Sequence, residues 1–286
     1  MSETLIRTAG LDEVYPELAE IHPGEWLDRF GAACTGWVRR RLKARRPRVE
    51  AIVDLVAAAG QALHGVDRDG LRVQAMELRK DLRRDGFRDE LVARSFALIR
   101  ETAHQVLGMR HFDVQLMGGW VLLNGMVAEM ETGEGKTLTA TLPACTAALA
   151  GIPVHVITVN DYLVERDCAL MAAVYQTLGI TVAAVTAEMD HGARQAAYAC
   201  DVVYCTNKTV VFDYLRDRIL LGASSSALHL RLEKIYGGAT RSRRLLLRGL
   251  NFAIVDEADS VLVDEARTPL IISSEVGSGD EALVAE

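Results

Sequence analysis

The sequence predicts an α/β protein built on a mostly parallel sheet, and three observations carry that expectation. From residue 109 onward, short β-rich runs alternate with longer helical ones. The stretch Glu129-Met130-Glu131-Thr132-Gly133-Glu134-Gly135-Lys136-Thr137 has the composition of a phosphate cradle that opens a helix. A short apolar run, Asn251 to Val255, ends in the adjacent acids Asp256 and Glu257, as a buried strand does when it delivers acids to its C-terminal end.

Residues 1–108 hold charged, Leu/Ala/Val-rich segments with helical spacing, such as Val49, Ile52, Val53, Leu55 and Val56, then Leu91, Val92, Phe96, Leu98 and Ile99. Pro16, Pro23, Pro47, Gly65 and Gly86 mark the breaks. The chain therefore begins with a helical N-terminal region, expected to pack on the rest. Strands are expected at Val127–Met130, Val154–Val159, Thr181–Val185, Val202–Cys205 and Phe252–Val255. Helices are expected between them, at 136–150, 161–178, 190–199 and 210–220. Such alternation implies right-handed crossovers and helices on both faces of the sheet. Ligands in such sheets sit at the C-terminal edges of the strands, where the cradle and the acid pair both fall.

The cradle has a chemical logic. Gly133 and Gly135 let the backbone turn tightly enough to aim successive amides at a phosphate. Lys136 can reach the β- and γ-phosphates, and the Thr137 hydroxyl can ligate Mg²⁺. The apolar run Leu138–Leu149 follows at once, so the helix dipole favours the same anion. One residue departs from the general pattern: Met130 stands where the first glycine is usual. In an ATPase of this kind Asp256 would hold Mg²⁺, directly or through water, and Glu257 would orient and activate the attacking water. A lone Asp-Glu pair would read as an acidic turn; paired with the upstream cradle it reads as an ATP site.

Composition narrows the class. The 286 residues suit one large or two small domains, half of them are apolar, and the net charge is −7. That balance argues against a surface given over to nucleic acid. Five cysteines (Cys34, Cys145, Cys168, Cys200, Cys205) lack metal-ligand spacing and read as free thiols in a reducing cytosol. There is no signal-peptide pattern and no charge-free apolar stretch of spanning length, so a soluble cytosolic protein is expected. Two segments are strongly basic. Arg39–Arg48 carries seven basic residues in ten, with no aromatic for stacking on bases. Residues 222–250 carry six Lys/Arg against Glu233 alone. Each reads as a solvated surface or as a contact for anionic lipid or an acidic partner.

Several strings resemble one family in order and spacing: Met109–Gly119, Ala128–Thr137, Thr158–Leu163, Phe212–Asp217 and Asp264–Ser273. Over roughly residues 70–274 the chain resembles SecA, the ATPase motor of bacterial protein export. The resemblance also accommodates Met130, which is common at that position in SecA. It implies a RecA-like, DEAD-type nucleotide-binding domain 1 over 109–272 with a basic insert at 222–250. Residues 273–286 would then begin a preprotein-crosslinking domain. By the same resemblance Gln115 would read the adenine edge, Thr132, Gly133, Glu134, Gly135, Lys136 and Thr137 would hold ATP and Mg²⁺, and Asp256 and Glu257 would act as above. The implied partners are ATP or ADP, a preprotein, a SecY-type channel and anionic lipid at the inner face of the cell membrane. Nucleic acid is not among them. An open sheet edge would favour association, a homodimer included. Arg110 and Asp217 receive no chemical role, and His111 is expected to pack rather than catalyse.

The chain also departs from the family. Glu131 is acidic where a basic or neutral residue is usual, which would weaken ATP several-fold; unchanged affinity in Glu131→Arg would refute that. Thr206-Asn207-Lys208 replaces a more usual T-N-N or T-N-S, the basic insert is long, and the first ~38 residues match poorly. These features read as a divergent SecA. The chain ends at Glu286, before a second nucleotide-binding domain, so nucleotide binding with little steady turnover is expected. Two other readings stand beside this one: a DEAD-type nucleic-acid helicase domain, and a truncated, non-catalytic nucleotide- or partner-binding module.

Overall fold

A computed structural model describes residues 46–221 and 244–265. Eight α-helices, four strands and a closing π-helical turn make up these residues. The first four helices, α1 (Arg46–Gln61), α2 (Arg68–Asp85), α3 (Asp89–Leu107) and α4 (Asp113–Leu123), form a helical layer. Asp67 caps α2 by accepting from the Gly70 N–H at 2.9 Å, and Gly86 and Gly108, both with positive φ, end α2 and α3. The buried stripe of α3 is Val92, Phe96, Ile99 and Ala103, a three-to-four spacing that places one face in the core.

The α/β part follows as α5 (Lys136–Leu149), β1 (Val154–Thr158), α6 (Asp161–Thr177), β2 (Val182–Val185), α7 (His191–Tyr198), β3 (Val202–Thr206), α8 (Asn207–Leu221), β4 (Phe252–Val255) and the turn Ser260–Asp264. All pairs are parallel and the strand order is β2-β3-β1-β4. Val154 pairs with both Val202 and Phe252, and Thr158 with Thr206. The fold class read from sequence is therefore the observed one.

Alternation along each strand sorts the two faces. Val154, Val156, Val202, Tyr204 and Ile254 join the core made by α1–α6. Val203, Cys205 and Val185 join a second core with Ala197, Val210 and Leu245–Leu247, on the side covered by α7 and α8. The helical layer and the first face share one continuous core, and Ser95 on α3 meets Thr146 on α5 through hydroxyls 2.7 Å apart. Glycines bring α4 and α5 into contact. A Cβ at Gly119 would stand 2.8 Å from Leu142, and one at Gly118 would stand 3.3 Å from Thr139 and 3.7 Å from the Met130 sulfur.

One expected strand does not form. Val127–Met130 is irregular backbone and Val127 is 86 % exposed. A strand needs a neighbour for its N–H and C=O groups, and none of the four described strands lies beside it. Helix α8 also starts at Asn207, three residues before its expected beginning, because Thr206 caps it: the Thr206 hydroxyl accepts from the Thr209 N–H at 3.1 Å. Cys145, Cys168, Cys200 and Cys205 are free, as expected. Most of the run 39–48, most of the insert 222–250, Cys34 and residues 266–286 lie outside the described residues.

Candidate nucleotide-binding site

Topology places the cradle at one end of the sheet. Helix α5 is joined to the start of β1 by only four residues and packs on that strand, so it runs antiparallel to it. Its first residue, Lys136, therefore lies at the C-terminal edge of the sheet, where β1, β3 and β4 also finish. Gly135 caps α5 with φ 80° and ψ 42°, and Gly133 has φ 91°. Both are left-handed conformations that a Cβ would strain.

Gln115 braces this turn from α4. Its Oε1 accepts from the Phe112 N–H at 2.9 Å and its Nε2 donates to the Glu134 carbonyl at 2.7 Å. A Cβ at Gly135 would come within 2.5 Å of that Nε2, so the glycine and the glutamine fit together. Gln115 is only 4 % exposed. One N–H and one lone pair of its amide are left unengaged among the described residues. The cradle is closed on itself as well: the Glu131 N–H donates to Glu134 Oε2 at 2.8 Å, and the Glu134 N–H to the Glu131 carbonyl at 3.3 Å. Glu131, Thr132, Gly133 and Glu134 are exposed, while Lys136 and Thr137 are half-buried.

His111 sits beneath the first turn of α5, with Nε2 3.0 Å from the Leu138 carbonyl and 3.3 Å from the Thr141 hydroxyl. Burial pushes its pKa down to about 4, with the Arg100 charge acting the same way, so the ring is neutral and packs as the sequence suggested.

The acids arrive from the other side of β1. The Asp256 N–H donates to the Ile157 carbonyl at 2.8 Å, which extends the β1–β4 ladder one residue past Val255. Asp256 is thus level with Thr158, as Thr206 is. Residues level with one another in a parallel sheet point to the same side. Thr206, Thr158 and Asp256 therefore form a row on the face that carries α5 and α6. The acid is aimed toward the helix that the cradle opens. Asp256 Oδ1 accepts from the Glu257 N–H at 3.0 Å, and Glu257 has φ 54°, a left-handed residue other than glycine. Such a conformation costs roughly 1–2 kcal/mol and recurs at working sites.

Arg166 on α6 shares this neighbourhood. Its guanidinium is held above its usual pKa chiefly by its bond to Asp167, 2.8 Å away, and the Asp256 charge adds to the effect. Among the described residues no group of three or more His, Cys, Asp or Glu could hold a metal alone. A divalent cation here would need phosphate oxygens beside Asp256 and the Thr137 hydroxyl, as Mg²⁺ at nucleotides does. The buried, unpartnered hydroxyl of Thr158 next to Asp256 and the open left-handed turn at Gly133 fit such a group.

Several supporting residues were not assigned roles from sequence. Asp217, 0 % exposed, accepts from the Leu246 and Leu247 N–H groups at 2.8 Å each and so pins the segment that leads into β4. Buried Asp213 pairs with Arg194 at 2.8 Å and accepts from the Tyr198 hydroxyl at 2.9 Å. Asn160 caps α6 through the Leu163 N–H at 2.9 Å. The unusual Asn207-Lys208 pair binds Glu265, at 2.7 and 3.2 Å, just beyond the acids. Arg110 bridges to Glu101 at 3.0 Å. Asn160, Asp213, Asp217, Arg110 and Glu265 had only their place inside the quoted strings as a signal, Asn207 and Lys208 only their departure from the family pattern, and Arg194 and Tyr198 had none.

Residues 34–286 match the family described as SecA DEAD-like domain. The chain is similar to "Protein translocase subunit SecA 2" of Bordetella avium, 54 % identical over 92 % of this chain and 40 % of that protein. It is similar to "Protein translocase subunit SecA 3" of Magnetococcus marinus, 49 % identical over 87 % of this chain and 38 % of that protein. "Protein translocase subunit SecA 2" of Nitrosospira multiformis is 48 % identical over 92 % of this chain and 39 % of its own length. The chain thus spans about two fifths of the length of these relatives.

Proposed function

This chain belongs to the SecA DEAD-like domain family, and on that premise we propose that it is the ATP-binding motor domain of a SecA-type export ATPase. The single observation that carries this reading is the shared edge: the cradle at 131–137 opens α5 on the face to which Asp256 points. In this reading the amides of residues 133–137 and the Lys136 ammonium receive the β- and γ-phosphates. The Thr137 hydroxyl and Asp256 hold Mg²⁺, which neutralises charge on those phosphates. Glu257 orients and deprotonates the attacking water, and Gln115 supports the cradle and offers its remaining amide groups to adenine.

Residues 109–272 form nucleotide-binding domain 1 in this account, residues 1–108 a helical region packed on it, and 273–286 the start of a preprotein-crosslinking domain. The substrate is a preprotein moved through a SecY-type channel, with the motor peripheral on the cytoplasmic side of the membrane and the basic segments meeting anionic lipid. No helix among the described residues is long and apolar enough to cross a membrane. RecA-like motors complete the charge on the transferring phosphate with an arginine from a second domain, a contribution on the order of 10³–10⁵ in rate. The 286-residue chain assayed alone is therefore expected to bind nucleotide and turn over slowly.

The test compares ATP hydrolysis by the chain alone, with RNA, and with channel-containing membranes plus a preprotein. Stimulation by membranes and preprotein supports the reading. Stimulation by RNA alone would favour a helicase and overturn it.

A further inference from the structure

Thr158 ends β1 at the centre of the row Thr206–Thr158–Asp256. It is 3 % exposed, and its hydroxyl has no hydrogen-bond partner. A buried hydroxyl left unmade is costly, so an unpaired one in a packed sheet calls for a reason. The neighbour on one side offers none: Thr206 Oγ1 is engaged with the Thr209 hydroxyl at 2.9 Å and with the Thr209 N–H. On the other side stands Asp256, of which only Oδ1 is engaged among the described residues, by the Glu257 N–H. Neighbouring strands lie about 4.8 Å apart, so a change of threonine rotamer brings the two side chains within hydrogen-bond reach.

We propose that Thr158 is a positioning residue of the nucleotide site, its hydroxyl donating to Asp256 and fixing that carboxylate's orientation when a metal–nucleotide complex is bound. This rests on the reading of residues 131–137 and 256–257 as an ATP site. Without nucleotide the hydroxyl is idle. With it, the carboxylate must hold one orientation toward the cation, and a donor from the adjacent strand selects that orientation. The role belongs to geometry rather than to chemistry on the phosphate, so Thr158 acts only through Asp256.

The test uses the full 286-residue chain and three variants. Thr158→Val keeps the shape and removes the hydroxyl, Thr158→Ser keeps the hydroxyl, and Lys136→Ala reports the cradle. Thermal unfolding without ligand and ADP binding, with Mg²⁺ and with a chelator, are the readouts. Thr158→Val should unfold at the same or a higher temperature, because it discards an unpaired buried group. It should bind ADP on the order of tenfold more weakly in Mg²⁺, the loss of one hydrogen bond to a charged group. Its ADP binding in chelator should equal that of the parent, and Thr158→Ser should restore the Mg²⁺-dependent affinity. Unchanged affinity in Thr158→Val overturns the proposal. So does a loss that is equal with and without Mg²⁺, or a lowered unfolding temperature in the valine variant, since each marks a merely structural role. If the parent chain itself fails to bind Mg²⁺–ADP, the reading of the site fails, and the inference falls with it; parent binding that Lys136→Ala abolishes separates that outcome from a failure of Thr158 alone.

Discussion

Asp217→Ala should be among the most damaging single changes in the described chain, although it lies outside the proposed catalytic residues. Asp217 is 0 % exposed and receives the Leu246 and Leu247 N–H groups at 2.8 Å each. Alanine leaves both amides buried beside Leu245–Leu247, which are 3–5 % exposed, with no acceptor in place of the carboxylate. An orphaned buried polar group costs about 1–3 kcal/mol, so two of them predict a loss of about 2–6 kcal/mol. For a chain of this size that corresponds to a fall in Tm of roughly 5–15 °C, readable by scanning fluorimetry or urea unfolding. Asp217→Asn retains one acceptor oxygen and should lose about half as much. The segment held by Asp217 leads directly into β4, so Mg²⁺-dependent nucleotide binding should fall with stability in the alanine variant. A Tm within about 2 °C of the parent would refute the claim that these two bonds hold the segment in place.

Two further outcomes follow from the same structure. Gly135→Ala should destabilise the chain by about 1–2 kcal/mol, because its φ of 80° is left-handed. It should also weaken nucleotide binding, since the added Cβ would stand 2.5 Å from Gln115 Nε2 and displace the brace; unfolding and ADP titration together check it. His155 is buried, and its burial, reinforced by the Arg248 charge, lowers its pKa to about 4. Because the unfolded chain takes up that proton at a higher pH, stability is intact above about 6.5 and is lost progressively as pH falls toward 4. His155→Leu should flatten that decline by up to about 1.4 kcal/mol per pH unit, measured as the difference in unfolding free energy between parent and variant across the window. Parallel curves would contradict it.

Much of the architecture was legible because local patterns and tertiary demands agree. The run Phe252–Val255 is a strand as expected, and β1, β2 and β3 match their expected spans to within a residue at either end, since each is a short apolar run between a helix and a turn. Val127–Met130 shows the limit. Its side chains suit a strand, yet a strand exists only where another supplies its ladder, and the period of a single segment carries no information about its neighbour. The cradle was readable because its residues are contiguous and glycine has few reasons to recur at that spacing. Asp217 and Thr158 were not readable, for a different reason. The partners of Asp217 are 29 and 30 residues away, and the meaning of Thr158 depends on the register that sets it level with Asp256. The two ends of the Gln115 amide divide the same way: a local capping bond to Phe112 three residues back, and a reach to Glu134 nineteen residues on.

Residues 131–137 and Asp256 are proposed here to form one Mg²⁺-dependent nucleotide site. Its most direct test is titration of the 286-residue chain with ADP, with and without Mg²⁺, alongside Lys136→Ala. Binding by the parent should be saturable, strengthened by Mg²⁺, and weakened on the order of tenfold or more in the variant, whose lost ammonium no longer meets the phosphates. Equal binding by parent and Lys136→Ala, or no binding by either at millimolar ADP, would contradict it.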